Sequence, residues 1–187
     1  GNLWKFDLTN SNTANWDSAF SSGGNPAPLY VAKDSNGVEQ PITSRPNVSS
    51  YRDVHGAIQV YFGTGKYLEP SDKVVTGATT QSFYGIQDYH DRAVTGRSEL
   101  LQQTILSETT SNGFDVRVTS NNRLTSSHRG WYIDLINGTT QTGERQVSNS
   151  ILRNGKIIFT TLIPSTDVCA YGGSGWLMEL NAKDGAR

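Results

Sequence analysis

The sequence holds one cysteine and one methionine among 187 residues. It has no apolar run near the roughly 18–20 residues that a membrane span requires. A lone Cys169 cannot close an internal disulfide, so a small cystine-stapled fold is excluded. The longest apolar stretch, KIIFTTLIP at 156–164, is strand-sized and β-branched. Neither sign of charge dominates: 16 basic and 17 acidic residues leave no field to attract a phosphate backbone, which argues against a nucleic-acid partner. Apolar residues at helical spacing are scarce as well, and the best stretch, 97–107, makes only about three turns. The chain starts without methionine or a charged leader and ends on NAKDGAR, a turn with no returning strand, so it reads as a piece of a longer polypeptide.

What the sequence does have is turn formers and repetition. Nineteen glycines, with many Ser, Thr and Asn residues, describe short strands joined by frequent turns, and the fold class expected is all-β. HRGWYIDL at 128–135 is echoed by SGWLMEL at 174–180 and by the opening GNLWKFDL at 1–8. Trp131 and Trp176 lie 45 positions apart, and QSFYGIQD places Tyr84 at a similar distance before Trp131. Intervals of about 45 residues match one blade of a β-propeller, four antiparallel strands each.

Other strands repeat too, since GAIQVYFGTG (56–65) and GKIIFTTL (155–162) share a Gly, alternating apolar residues, Phe and Thr. The stretch 30–43 reads as an inserted hairpin around the turn SNG. In GWYIDL, Trp131, Ile133 and Leu135 share one strand face while Tyr132 and Asp134 share the other, so both faces of a sandwiched blade can be buried. On this reading the tryptophans form inter-blade core. Residues 1–187 then constitute a partial β-propeller domain, because three or four blades do not close a ring.

No constellation assembles a convincing active site. YFGTGKYLE (61–69) lacks the phosphate-loop pattern, with Val60 and Tyr67 where Gly and Ser or Thr belong, and Leu68 breaks the dinucleotide pattern. GGSGW (172–176) resembles a nucleophile elbow around Ser174, but Trp176 replaces its closing Gly. QDYHDR gathers Asp88, His90 and Asp91, a set that could ligate a metal if His55 or His128 came near; a polar loop is the simpler reading. DSNG (34–37) with Glu39 begins like a calcium loop but lacks the later acids, and a hairpin turn explains it more simply. NVS (47–49) and NGT (137–139) are glycosylation sequons without a secretory context. The loops 89–99 and 137–147 are the natural places for partner contacts.

Taken in order, GNLWKFDL, VYFGTGKYLE, QSFYGIQD, GWYIDL, GERQVSNSILRNGKIIFTTLIPSTDVC and GGSGWLMEL resemble the C-terminal β-propeller of the PilC/PilY-type tip-associated adhesins of bacterial type IV pili. The resemblance spans essentially the whole chain. It implies a non-enzymatic protein at the pilus tip or outer bacterial surface that works with minor pilins, restrains retraction and contributes to adhesion to a host-surface ligand. It also implies a longer N-terminal region and an Asp-rich calcium loop in the parent protein. Neither is visible here, and no metal ligand is carried over. RGD is absent, and any disulfide partner of Cys169 would lie outside this chain. The competing reading is a fragment of a pyrroloquinoline-quinone dehydrogenase propeller, favoured by WLMELNAKDG but lacking the paired cysteines of those enzymes; a WD-type scaffold would show GH and WD pairs, which are missing.

Overall fold

Period-2 stretches of β-branched and aromatic residues become strands in the computed structural model, which describes residues 1–50, 56–75, 77–165, 167 and 173–187. Cys169, His55 and Gly172 lie outside the described residues. The strands run β1 (Asn2–Leu3), β2 (Phe6–Asp7), β3 (Asp17–Ser18), β4 (Phe20–Ser22), β5 (Asn25–Ala27), β6 (Tyr30–Val31), β7 (Asn47–Ser50), β8 (Ile58–Gly63), β9 (Ser82–Asp88), β10 (Leu101–Ser111), β11 (Phe114–Thr119), β12 (Gly130–Asn137), β13 (Ile151–Arg153), β14 (Lys156–Thr160) and β15 (Leu177–Asn181). The described helical elements are short 3-10 turns. The 97–107 stretch is therefore not helical beyond Arg97–Glu99. From Leu101 it extends as β10, whose side chains find partners on the strands to either side.

One sheet has the order β11-β10-β12-β9-β8-β7 and a second the order β13-β14-β15; the remaining strands form two-stranded ribbons, β1-β6, β2-β3 and β4-β5. All neighbours are antiparallel except β10 and β12, which run parallel, with β11 and the segment 120–129 serving as the crossover between them. This differs from a set of uniform four-stranded blades. Tyr84 and Trp131 do not occupy equivalent strands of successive blades, because β9 and β12 lie side by side with Tyr84 opposite Tyr132 and Trp131 opposite Gly85. The spacing between them measures the β10–β11 excursion and its return to the same sheet. The Trp131 and Trp176 phrases do correspond in burial: Ile133 and Leu135 on β12, and Met178 and Leu180 on β15, all turn into one core.

Alternation splits the central strands between two cores. Val60, Phe62, Tyr84, Ile86 and Tyr132 face the first, against Leu3, Leu29 and Tyr30 of the N-terminal ribbons. Tyr61, Phe83, Trp131 and Ile133 face the second, against Ile157, Phe159, Met178 and Leu180 of the smaller sheet. Every residue of β9 is consequently buried. The molecule is three layers deep, with the six-stranded sheet in the middle. The two larger sheets are stitched together by 145–146, where Arg145 pairs with Leu162 and the Gln146 amide donates to the Thr64 carbonyl at 3.0 Å. Side chains of the central sheet also clasp the turn after β15. The Gln59, Gln103 and Trp131 N–H groups donate to the carbonyls of Lys183, Asp184 and Ala182. Asn112-Gly113 and Asn154-Gly155 turn the β10–β11 and β13–β14 hairpins with the positive φ angles a tight two-residue turn demands.

Candidate functional site

A cleft of about 560 Å³ opens between the loop after β6, the short turn at Arg97 and β12, lined by Tyr30, Lys33, Asp34, Arg97, Gln102 and Tyr132. Arg97 organises it. Its Nε donates to the Lys33 carbonyl at 2.5 Å, Nη1 donates to Asp134 Oδ2 at 3.0 Å, and Nη2 donates to Ser82 Oγ at 2.7 Å and Tyr84 Oη at 2.9 Å. The guanidinium also lies 4.5 Å over the Tyr132 ring and 5.7 Å from the Tyr84 ring centroid, a stacked geometry that a lysine could not reproduce. Tyr84 Oη in turn donates to Gln40 Oε1 at 2.6 Å.

The Tyr30 hydroxyl, beneath this network, is buried and has no hydrogen-bond partner among the described residues. Burial pushes the Tyr30, Tyr84 and Tyr132 phenols up from their ordinary range. Burial alone would pull the Arg97 guanidinium down, but Tyr84 and Asp134 reverse the sign and hold it up. Three phenols held neutral by burial thus surround a charged arginine whose donors are engaged within the cleft wall.

The Asp88, His90 and Asp91 cluster is arranged around an ammonium. Lys5 donates to the buried Asp88 carboxylate at 2.6 Å and to His90 Nδ1, which leaves the His90 proton on Nε2 facing the Gly56 carbonyl at 2.6 Å. Asp91 turns away to a bidentate pair with Arg129 at 2.7 and 2.8 Å, and those hydrogen bonds hold its carboxyl well below the usual range. The His128 ring binds the Thr125 backbone and hydroxyl. Among the described residues no group of His, Cys, Asp and Glu side chains could hold a metal ion.

DSNG is the turn expected of it: Asp34 Oδ1 accepts the Asn36 and Val38 amides, and Lys33 bridges to Glu39 across it. YFGTG is a strand end, and Ser174 pairs through its backbone with Ile163. The loop 89–99 does carry functional-looking groups, in Asp91 and Arg97. The loop 137–147 instead buries Glu144 and Arg145. Arg97 was missed by sequence reasoning because nothing in TGRSEL marks it; its partners come from β9 and β12 and from the loop after β6.

The family model for the PilY1 β-propeller domain matches residues 1–117. A type IV pilus biogenesis factor PilY1 homolog of Xylella fastidiosa is 37% identical over 99% of this chain and 13% of its own length. The type IV pilus biogenesis factor PilY1 of Pseudomonas aeruginosa is 33% identical over 100% of this chain and 19% of its own length. The crystal structure of the P. aeruginosa PilY1 C-terminal domain superposes with a TM-score of 0.85 at 27% identity, covering 100% of this chain and 43% of that one. These relatives are named as pilus biogenesis factors and not as enzymes, and the chain spans under a fifth of the curated relatives' length. The chain belongs to the PilY1 β-propeller domain family.

Proposed function

We propose that residues 1–187 are a segment of a longer β-propeller whose parent acts outside the bacterial cell as a non-enzymatic factor of the type IV pilus. In this role it docks minor pilins or a surface ligand at the pilus tip and so influences assembly, retraction and adhesion. The observation that carries the reading is whole-chain similarity to proteins named as pilus biogenesis factors. The Arg97 cleft supports a binding role, because Arg97 holds Asp134 and Tyr84 in fixed positions along its wall. No helix among the described residues is long and apolar enough to cross a membrane.

The test is deletion of this segment from the chromosomal gene, followed by counts of surface pili, twitching motility and recovery of minor pilins with the affinity-purified parent. Loss of pili and of co-purified pilins is expected. Intact piliation and motility with no pilin bound would overturn the reading. Alcohol-dependent dye reduction by the quinone-reconstituted parent would replace it with the dehydrogenase alternative.

A further inference from the structure

Beneath the Arg97 network one polar atom has nothing to bind. Tyr30 is 1% exposed and lines the cleft, yet its hydroxyl finds no hydrogen-bond partner among the described residues. The hydroxyl of its neighbour Tyr84, with ring centroids 5.3 Å apart, has three partners: Gln40, Arg97 and the Lys33 carbonyl. A buried donor left unmade weakens the fold, and such defects are retained at sites where function needs them.

The rest of the cleft narrows what could complete the bond. Its volume of about 560 Å³ falls within the range of small-molecule sites. Charges along the wall cancel: Arg97 is paired with Asp134, and Lys33 is matched by Asp34 beside it, so neither an anion nor a cation is favoured. Tyr132 is buried, stacked 6.0 Å from Tyr84 and covered by the Arg97 guanidinium at 4.5 Å, which leaves no ring face for a nucleobase or an aromatic side chain. Both edges of β12 are taken, by β9 and β10, so an extended peptide has no ladder to join there.

What remains are single hydrogen-bonding groups: the Tyr30 hydroxyl at the buried end, the Asp134 carboxylate on the wall, and Thr95 and Gln102 at the exposed mouth. A hydroxyl both donates and accepts, which suits a wall that sets donors beside acceptors. We propose that the Arg97 cleft binds an uncharged sugar unit, one of whose hydroxyl oxygens accepts the Tyr30 proton. The inference rests on the binding role proposed above and names its ligand as a glycan of the contacted surface.

The test titrates the full-length natural protein by calorimetry with maltose, cellobiose, lactose and chitobiose, and with a sulfated heparin disaccharide as the charged control. At least one neutral disaccharide should bind with a Kd of about 1 mM or tighter, and the heparin disaccharide should not. Tyr30→Phe should weaken that binding roughly three- to tenfold, the value of one hydrogen bond, while the unfolding midpoint of the protein stays or rises. Gly96 lines the cleft with extended backbone, and a Cβ on it meets open space, so Gly96→Trp obstructs the site without strain and should abolish binding. Phe114→Ser, on the outermost strand β11, should leave binding within about twofold.

Absence of binding by all four neutral disaccharides overturns the proposal, as does tighter binding of the heparin disaccharide. Binding that Tyr30→Phe leaves unchanged overturns it too, because the sugar then sits elsewhere. If Gly96→Trp strips minor pilins from the purified parent and no sugar binds, the occupant is a pilin segment and the proposal is wrong. None of these failures touches the pilus reading, which is decided by piliation and pilin recovery after deletion.

Discussion

The rings of Phe83 and Phe159 lie parallel, 3.9 Å between centroids and 4° between planes, and this contact joins the middle layer to the smaller sheet. Both are buried in the core shared with Trp131. Phe159→Ala should cost about 3–5 kcal/mol, the usual range for emptying an aromatic site. Phe159→Leu keeps most of the volume but forfeits the ring contact, and should cost about 1–2 kcal/mol. Urea unfolding followed by tryptophan emission measures both. A Phe159→Leu cost near zero would mean that the stacking adds nothing beyond burial.

Tyr30 and Tyr84 make a sharper pair, because their rings sit 5.3 Å apart and only one hydroxyl is used. Tyr30→Phe removes an unsatisfied buried hydroxyl and should be neutral or stabilising by up to about 1 kcal/mol, whereas Tyr84→Phe strips partners from Gln40 and Arg97 and should cost about 1–3 kcal/mol.

The pH dependence follows from the same burial. All three phenols are raised in the folded state, so below the ordinary tyrosine value of about 10 both states stay protonated and no penalty arises. Above it the unfolded chain ionises while the folded one resists, and stability falls as pH rises. Tyr30→Phe should soften that alkaline loss, which denaturant titrations between neutral and strongly alkaline pH will register.

The fold class was legible because alternation in GWYIDL, QSFYGIQD and KIIFTT needs only a one-strand argument, and each stretch is a strand with the expected faces. Strand order was not legible. Tyr84 and Trp131 head similar phrases because both strands are buried on two faces, and that requirement is the same for neighbours in one sheet as for equivalent strands in two. The Arg97 cleft was invisible for a related reason: Ser82, Tyr84 and Asp134 each read as ordinary strand residues, and only the β9–β12 register aims them at one guanidinium. The Lys5 bond to Asp88 spans 83 positions and left no mark on either segment.

Gly85 and Trp131 are cross-strand partners, and the glycine is there for space rather than for backbone freedom. A Cβ on Gly85 would run into the Trp131 indole nitrogen and Cε2, and into the Gln59 amide. Gly85→Ala should therefore cost about 1–3 kcal/mol through overpacking. A cycle with Trp131→Phe should be non-additive, the smaller ring recovering part of the loss. Gly37→Ala is the contrast, since a Cβ there meets open space and only the positive φ of 80° resists it, at about 1–2 kcal/mol. Gly37→Asn should relieve that strain, and no side chain at 85 should be tolerated equally well.

Arg117 and Glu144 form a buried ion pair between β11 and the segment that stitches the sheets, with side chains 3% and 2% exposed and two contacts at 2.7 and 2.8 Å. Their situations are unequal. Arg117 also holds Glu108 and lies 4.3 Å over the Trp176 ring, so it keeps company when Glu144 is neutralised. Glu144 has Arg117 as the partner of its carboxylate among the described residues. Arg117→Met leaves a buried carboxylate uncompensated and should cost about 3–5 kcal/mol, while Glu144→Gln should cost about half as much or less. Changing both to apolar residues, Arg117→Met with Glu144→Leu, should recover most of the single-mutant loss, because a buried pair breaks even against well-packed apolar side chains. Thermal unfolding of the four proteins at low and high salt decides it: the Arg117→Met loss should hardly change with salt, as expected of a pair screened little by solvent, and equal single-mutant costs would show that Glu108 and Trp176 give Arg117 no second anchor.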